Sequence, residues 1–293
     1  MLFNSLDYFV FLALVFLGFW ALDPRTSAPA RRFAEVRPRR ERLLATSRTA
    51  LLLLASYVFY MSWNAVFILL IIASTLLDYA VGLALGRVER APARRALVAL
   101  SVAVNLGLLG LFKYADFALV ASAQLAGALG GSFRPELLHL IVPVGISFYT
   151  FQTLSYTIDV YRRRIPPHRD VLEFATYVAF FPQLVAGPTV RAKEFLPQFA
   201  RLPALSADGA QRGIYLILRG LVKKVAVADF LARALLDRVW DNPSAFSSGE
   251  VWVAVYAYTW QLYGDFSGYT DIARGSARLV GFELPHNFDR PFD

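Results

Sequence analysis

Long apolar blocks punctuated by arginine clusters constrain this chain more than any other feature. Residues 6–22 (LDYFVFLALVFLGFWAL) carry one carboxylate and no cation. Residues 23–48 then hold Arg25, Arg31, Arg32, Arg37, Arg39, Arg40, Arg42 and Arg48. A helix needs about 20 mainly apolar residues, at 1.5 Å each, to cross roughly 30 Å of hydrocarbon. Blocks of that length recur along the chain, and charged residues make up only 18% of it, against about 25% in ordinary soluble domains. The 15% of aromatic residues excludes intrinsic disorder, because they could not stay solvated. With no cysteine there is no disulfide framework, thiolate zinc site or cysteine nucleophile. The remaining class is an all-α polytopic membrane protein. Its net charge of +8 then reads as loop charge that sets topology, and not as a nucleic-acid footprint.

The pattern predicts spans at 6–22, 45–62, 65–85, 96–112, 140–161 and 251–270. No Lys or Arg precedes the first apolar run, so it lacks the positive region of a signal peptide, although Ala28-Pro29-Ala30 resembles a cleavage site. The arginines that follow place that loop in the cytoplasm and the N-terminus outside. The apolar stretch 96–129 is interrupted at Lys113-Tyr114-Ala115-Asp116. Counting one span to Phe112, then an outer interfacial segment, keeps Arg162-Arg163-Arg164 inside with the other clusters. Residues 171–188 are apolar, but Pro182 and Gly187-Pro188 would break a through-going helix. They read as a re-entrant segment, which survives at membrane depth only against protein or a cavity. Residues 211–238 alternate apolar and basic positions at helical spacing, as an interfacial helix does. No internal repeat is visible, and the whole reads as one membrane domain.

Three stretches are too polar and too rich in glycine and proline for plain membrane helices. The first runs from Pro143 to Asp159 and carries Ser147, Thr150 and Gln152, which ordinary helix–helix packing also explains. The second, 181–191, offers Gln183 and Arg191 for a polar or phosphorylated group, while Arg191 suits an interfacial anchor equally well. The third follows Trp260 and holds Asp265, Ser267, Tyr269, Asp271 and Asn287. Ionisable groups at membrane depth cost about 2.5–3.5 kcal/mol on insertion scales, so they face interior cavities. Asp265 and Asp271 do not share a helical face, which argues against a carboxylate pair in acid–base work. His139, His168 and His286 have no partner at metal-ligand or triad spacing, so no metal site is expected.

Taken in order, PVGISFYTFQTLSYTIDVYR from Pro143, FFPQLVAGPTVRAKEFLPQF from Phe180 and DFSGYTDIARGSARLVGFELPHNFDRPF from Asp265 resemble the membrane-bound O-acyltransferase family. The likeness is to its branch of alginate O-acetylases and peptidoglycan O-acetyltransferases. MLFNSLDYFVFL at the start and FKYADF from Phe112 are similar too. The resemblance implies a helical bundle with re-entrant segments around a funnel, in the inner membrane of a bacterium. It implies acetyl transfer from cytoplasmic acetyl-CoA, as acyl donor with no bound cofactor, through an extracytoplasmic acetyltransferase partner to a glycan acceptor such as alginate. On this reading Asp265, Ser267, Tyr269, Asp271 and Asn287 shape the funnel, with Gln183 and Arg191 near its cytoplasmic mouth. In the family, the Asn-Phe motif matched by Asn287–Phe292 is followed by the histidines that carry the reaction. His286 sits at a variable position, so the family histidine is expected beyond Asp293, and this chain is expected to be a C-terminally incomplete, inactive acyltransferase. The competing reading is a transporter or export component that uses a buried Asp265. Such a protein usually shows an internal repeat.

Overall fold

The computed structural model describes residues 1–23, 39–184, 187–201 and 206–288, and among these the chain is helical, with no strand. The main helices are α1 (Leu6–Ala21), α2 (Arg39–Met61), α3 (Ile68–Arg87), α4 (Ala91–Ala128), α5 (Ile146–Tyr161), α6 (Val171–Ala179), α7 (Ala207–Leu221) and α8 (Ser248–Leu279). Most of the arginine-rich connection, Ala28-Pro29-Ala30 included, and residues 289–293 fall outside the described residues. By length and composition, three helices suffice to cross a bilayer: Glu41–Met61, Ala65–Arg87 and Ala91–Ala128.

Local chemistry sets the helix starts. Ser5 accepts from the Tyr8 amide at 3.3 Å, Ser206 from the Gly209 amide at 3.0 Å, and Asp170 from the Leu172 and Glu173 amides. α8 opens on a reciprocal capping box, in which the Ser247 amide donates to Glu250 and the Glu250 amide to Ser247 Oγ. Several boundaries depart from the expected spans. α4 runs unbroken through Lys113 and Asp116, because neither residue breaks a helix and a charge at its surface needs only a partner. Asp116 accepts from the Leu138 and His139 amides at 2.7 and 3.0 Å, and Lys113 donates to Ser147 at 3.4 Å. The stretch 140–145 is not helical; Gly145, in the left-handed region at φ 75°, turns the chain into α5. α6 ends at Ala179 and gives way to a turn before Pro182. Within the stretch 211–238, α7 continues as a π-helix over Val222–Asp229 and Ala232–Leu236 and ends in a short α-helix, Asp237–Asp241. α8 is a single helix well past residue 270.

The chain divides into two compact units. One comprises 1–59, 180–190 and 194–293, the other 60–179 and 191–193. The second buries polar groups among apolar ones and turns large apolar side chains outward. On α3, Leu69 and Leu76 are 63% and 52% exposed, whereas Asp78 is fully buried. Asp78 accepts from Ser101 Oγ and Thr157 Oγ1 on one oxygen and from Asn105 Nδ2 at 2.8 Å on the other. This hub ties α3, α4 and α5 together. Lipid surroundings favour this mixture, since buried polar groups join helices where apolar faces gain nothing over lipid. In the same unit Gln152 donates to the Tyr177 carbonyl at 2.7 Å, and Gly82 leaves room for the Tyr156 ring.

The first unit is built on aromatic packing. Phe181 lies edge-on to Phe11 and Phe59, with its amide on Ser56 Oγ at 3.0 Å. Phe180, Phe195 and Phe282 form a second cluster. α1 is fastened to α8 by Tyr8 Oη donating to Ser276 Oγ at 2.7 Å and by Trp20 Nε1 donating to the Leu279 carbonyl at 2.9 Å.

Candidate functional site

The site forms where α7 and its π-helical continuation lie antiparallel against α8, all within the first unit. Glycines at the crossing points, Gly213 against Gly275 and Gly220 against Gly268, bring the two backbones into contact. At that separation the long basic side chains of one helix reach the carboxylates of the other. In an α-helix, sequence neighbours diverge by about 100°. The π-helical turn relaxes that constraint for Lys223 and Lys224. Lys223 reaches Asp271 at 2.8 Å, and Lys224 reaches Asp265 at 2.6 Å and Asp229 at 2.7 Å.

A cavity of about 210 Å³ opens beside Asp271. Its wall includes Arg219, Lys223, Arg274, Ser267, Thr270, Tyr263, His286 and Asn287. Asp271, 4% exposed, is gripped by a fork from Arg219, whose Nε and Nη2 stand 2.9 and 2.6 Å from its two oxygens. Arg274 Nη1 lies at 3.8 Å and donates through Nη2 to His286 Nε2 at 2.9 Å. Among the described residues, three cations therefore face one carboxylate, an excess of two positive charges in the wall. The hydrogen bond to Asp271 holds the Arg219 guanidinium above its ordinary range, whereas burial pulls Arg274 below it despite the neighbouring Asp271. Ser267 adds a hydroxyl that is 2% exposed and has no hydrogen-bond partner among the described residues. The segment after α8 closes one side: Asn287 Nδ2 donates to Thr270 Oγ1 at 3.4 Å, and Phe288 packs edge-on against Tyr263 and Phe266.

This geometry suits binding an anion. It does not suit nucleophilic catalysis by Ser267, because no base is hydrogen-bonded to its oxygen. The second cluster, around Lys224, takes in Asp265, Asp229 and the Tyr269 ring, 5.1 Å from the ammonium. There the hydrogen bonds to Asp229 and Asp265 outweigh burial and raise the Lys224 pKa.

Of the residues expected from sequence, Ser267, Asp271 and Asn287 line the cavity. Asp265 and Tyr269 belong to the neighbouring cluster, where Asp265 is ion-paired with Lys224. Gln183 is buried in the turn after Phe180, with Gly187 packed directly against it, and does not line the cavity. Arg191 is exposed and belongs to the other unit. Arg219, Lys223 and Arg274 were not singled out. The signal for them was the basic register of 211–238 set against acidic positions of matching spacing after Trp260.

Among the described residues the chain is all-helical, with apolar side chains on its outer faces, buried polar groups and a cationic cavity, as suits a membrane protein. Residues 162–293 match the model of the membrane-bound O-acyltransferase family, the family that the sequence motifs resemble. It is 42% identical over 250 residues to a probable alginate O-acetylase AlgI of Pseudomonas aeruginosa, covering 84% of this chain and 46% of that protein. Over its whole length it is 37% identical to a probable alginate O-acetylase AlgI of Azotobacter vinelandii, of which 54% is covered. It is also 32% identical to a peptidoglycan O-acetyltransferase of Helicobacter pylori, again over the whole chain and 56% of that protein. The chain thus spans about half the length of these relatives.

Proposed function

We propose that this chain supplies the donor-binding part of an O-acetyltransferase that moves acetyl from cytoplasmic acetyl-CoA toward hydroxyls of an exported polysaccharide such as alginate. The observation that carries this reading is the cavity beside Asp271, with two surplus positive charges and the unpartnered hydroxyl of Ser267. Coenzyme A is polyanionic, and a cavity of about 210 Å³ takes one of its phosphate groups, not the whole molecule. Arg219 keeps its Nε–Nη2 edge on Asp271, so its remaining N–H groups and the Lys223 ammonium are what a phosphate would meet, with Ser267 as a further donor. In the reaction the acceptor oxygen attacks the thioester carbonyl, a general base takes its proton, and coenzyme A leaves as the thiol. The cavity supplies charge and hydrogen bonds to the donor and no base. By the family resemblance, that base is a histidine of the segment that follows the Asn-Phe motif. The names of the relatives support a glycan acceptor. The arginine-rich loops support a multi-pass inner-membrane protein with its N-terminus outside, whose segment 171–188 walls a funnel leading to an extracytoplasmic acetyltransferase.

The test is equilibrium binding of radiolabelled acetyl-CoA to the protein in lipid nanodiscs. Saturable binding that weakens about 10- to 100-fold in Arg219→Gln, the range expected for a charge-assisted hydrogen bond, supports the proposal. Binding unchanged in Arg219→Gln and in Lys223→Gln would sink it. Solute uptake abolished by Asp265→Asn would put a transporter in its place.

A further inference from the structure

The second unit carries another basic cavity, of about 370 Å³, at the ends of its helices. It lies where the C-termini of α3 and α5 meet the N-terminus of α4. Two arginine-bearing loops, 87–95 and 162–169, that sequence reading assigns to the same membrane face are here packed together. Gly86 makes the approach possible: a Cβ there would stand 2.4 Å from Pro167 Cγ. Arg94, 8% exposed, fixes the floor by donating to the carbonyls of Leu85, Val88 and Tyr161. Its charge is thus held in the wall against carbonyl dipoles and the Tyr161 ring, 5.6 Å away.

At the rim stand Arg163, Arg164 and Glu89. Arg164 leans toward Asp159 at 3.6 Å and stays 56% exposed. Arg163 has no ion-pair partner among the described residues. It sits at φ 57°, in the left-handed position that closes α5, where its amide donates to Val160 and the Arg164 amide to Asp159. Glycine is the usual residue there, because a side chain in that region costs of order 1 kcal/mol. A charged, exposed arginine is therefore held where folding alone favours glycine. Such strain at a cavity lip is a pointer to binding.

We infer that this cavity holds the phosphodiester headgroup of an anionic phospholipid, with Arg163 and Arg164 on the phosphate and Arg94 beneath it. Helix ends of a bilayer-spanning bundle lie at headgroup depth, and basic pockets between helices at that depth select anionic lipid. The half-apolar wall, including Val160, Ile165 and Pro166, suits the glycerol and the first methylenes of a lipid. A freely soluble nucleotide has no use for it. This site is independent of the donor cavity, which lies in the other unit.

The test uses the membrane-extracted 293-residue protein in nanodiscs that mix phosphatidylglycerol with phosphatidylcholine, with retained lipid read by native mass spectrometry. Wild type is expected to retain phosphatidylglycerol over phosphatidylcholine. Arg163→Gly with Arg164→Gln is expected to cut that preference about 10- to 30-fold, at roughly fivefold per arginine. Arg163→Gly alone relaxes the backbone, so a folding defect cannot imitate the result: its melting temperature should hold or rise while preference falls. Equal retention of both lipids by wild type, or a preference unchanged in the double variant, overturns the inference. So does complete displacement of the bound lipid by millimolar pyrophosphate, which would make this a site for soluble phosphate.

Discussion

The Cβ that Gly220 lacks would lie 2.5 Å from the carbonyl oxygen of Gly268, with Ile272 Cγ1 at 2.8 Å and the Ile272 amide nitrogen at 2.9 Å. The reciprocal contact is as tight, since a Cβ on Gly268 would meet the Gly220 carbonyl at 2.8 Å. Two turns further along, Gly213 and Gly275 repeat the pair. The obstacles are largely backbone, so nothing rotates out of the way. Small residues at such crossings are how helices in lipid come close enough for dispersion contacts to hold them.

Gly220→Ala is therefore expected to push α7 from α8 and to cost about 1–3 kcal/mol, the usual range for overpacking. Because Arg219 and Lys223 ride on the same helix, their reach to Asp271 lengthens as well. A lowered melting temperature together with weaker acetyl-CoA binding is the expected pair of results. Gly249→Ala, with nothing within 4 Å of the added carbon, is the neutral control.

Asp271→Asn separates stability from binding. Asp271 is 5% exposed at the side chain, while Arg219 and Lys223 remain 39% and 28% exposed. Breaking a fully buried ion pair costs about 3–5 kcal/mol, and partial solvation of these partners reduces that to about 1–3. The same change removes the one negative charge among the cavity's cations. The variant should melt earlier yet bind pyrophosphate several-fold more tightly, as isothermal titration in detergent would read. Weaker binding with the fold intact would mean that Asp271 chiefly positions the cations.

Those cations mark the limit of what was legible in the sequence. Most apolar blocks announce helices, the stretch 140–145 excepted, and Ser267, Asp271 and Asn287 stand out because polar residues beside an apolar run are costly. Arg219 and Lys223 stand 52 and 48 positions from their carboxylate, a pairing that no local period records. On an amphipathic helix they look like interfacial charges, and only the glycine contacts turn them inward. Lys113 and Asp116 misled in the opposite sense. They read as the end of a span, although a helix tolerates both and their partners in the loop 138–147 are invisible to periodicity. The hub at Asp78 was passed over because one carboxylate in an apolar run gives no hint that Ser101, Asn105 and Thr157 converge on it.

Asp78→Ala should destabilise the second unit strongly. It strips the acceptor from three donors that have no water to turn to. Each unsatisfied donor costs about 1–3 kcal/mol, less than additively, so a loss of about 3–5 kcal/mol is expected. Asp78→Asn keeps the shape, can still accept from Asn105 Nδ2 and can donate to the Ser101 and Thr157 hydroxyls turned as acceptors, losing only the charge, and should cost about half as much. Protease susceptibility of the α3–α5 region, compared between the two variants, checks the ranking. Equal sensitivity of Asp78→Ala and wild type would show that the hub is not what ties these helices.

Lys224 gives the pH dependence. Its pKa is raised in the folded protein, where hydrogen bonds from the ammonium to Asp229 and Asp265 win over burial. A group bound more tightly to its proton in the folded state stabilises that state fully below its unfolded pKa, about 10.4 for lysine. The contribution is lost as pH rises through the higher folded value. Between pH 7 and 9 the ion pairs should therefore add a constant increment to stability, and above the ordinary lysine range that increment should decline. Lys224→Met removes the group and with it the decline, although it also leaves Asp229 and Asp265 without their cation. Melting temperatures of wild type and variant, measured from pH 7 to 11, should be separated by a fixed gap up to about pH 10 and converge beyond it. A gap that instead opens with rising pH would mean that the lysine is more easily deprotonated in the folded protein, and would contradict the geometry of the cluster.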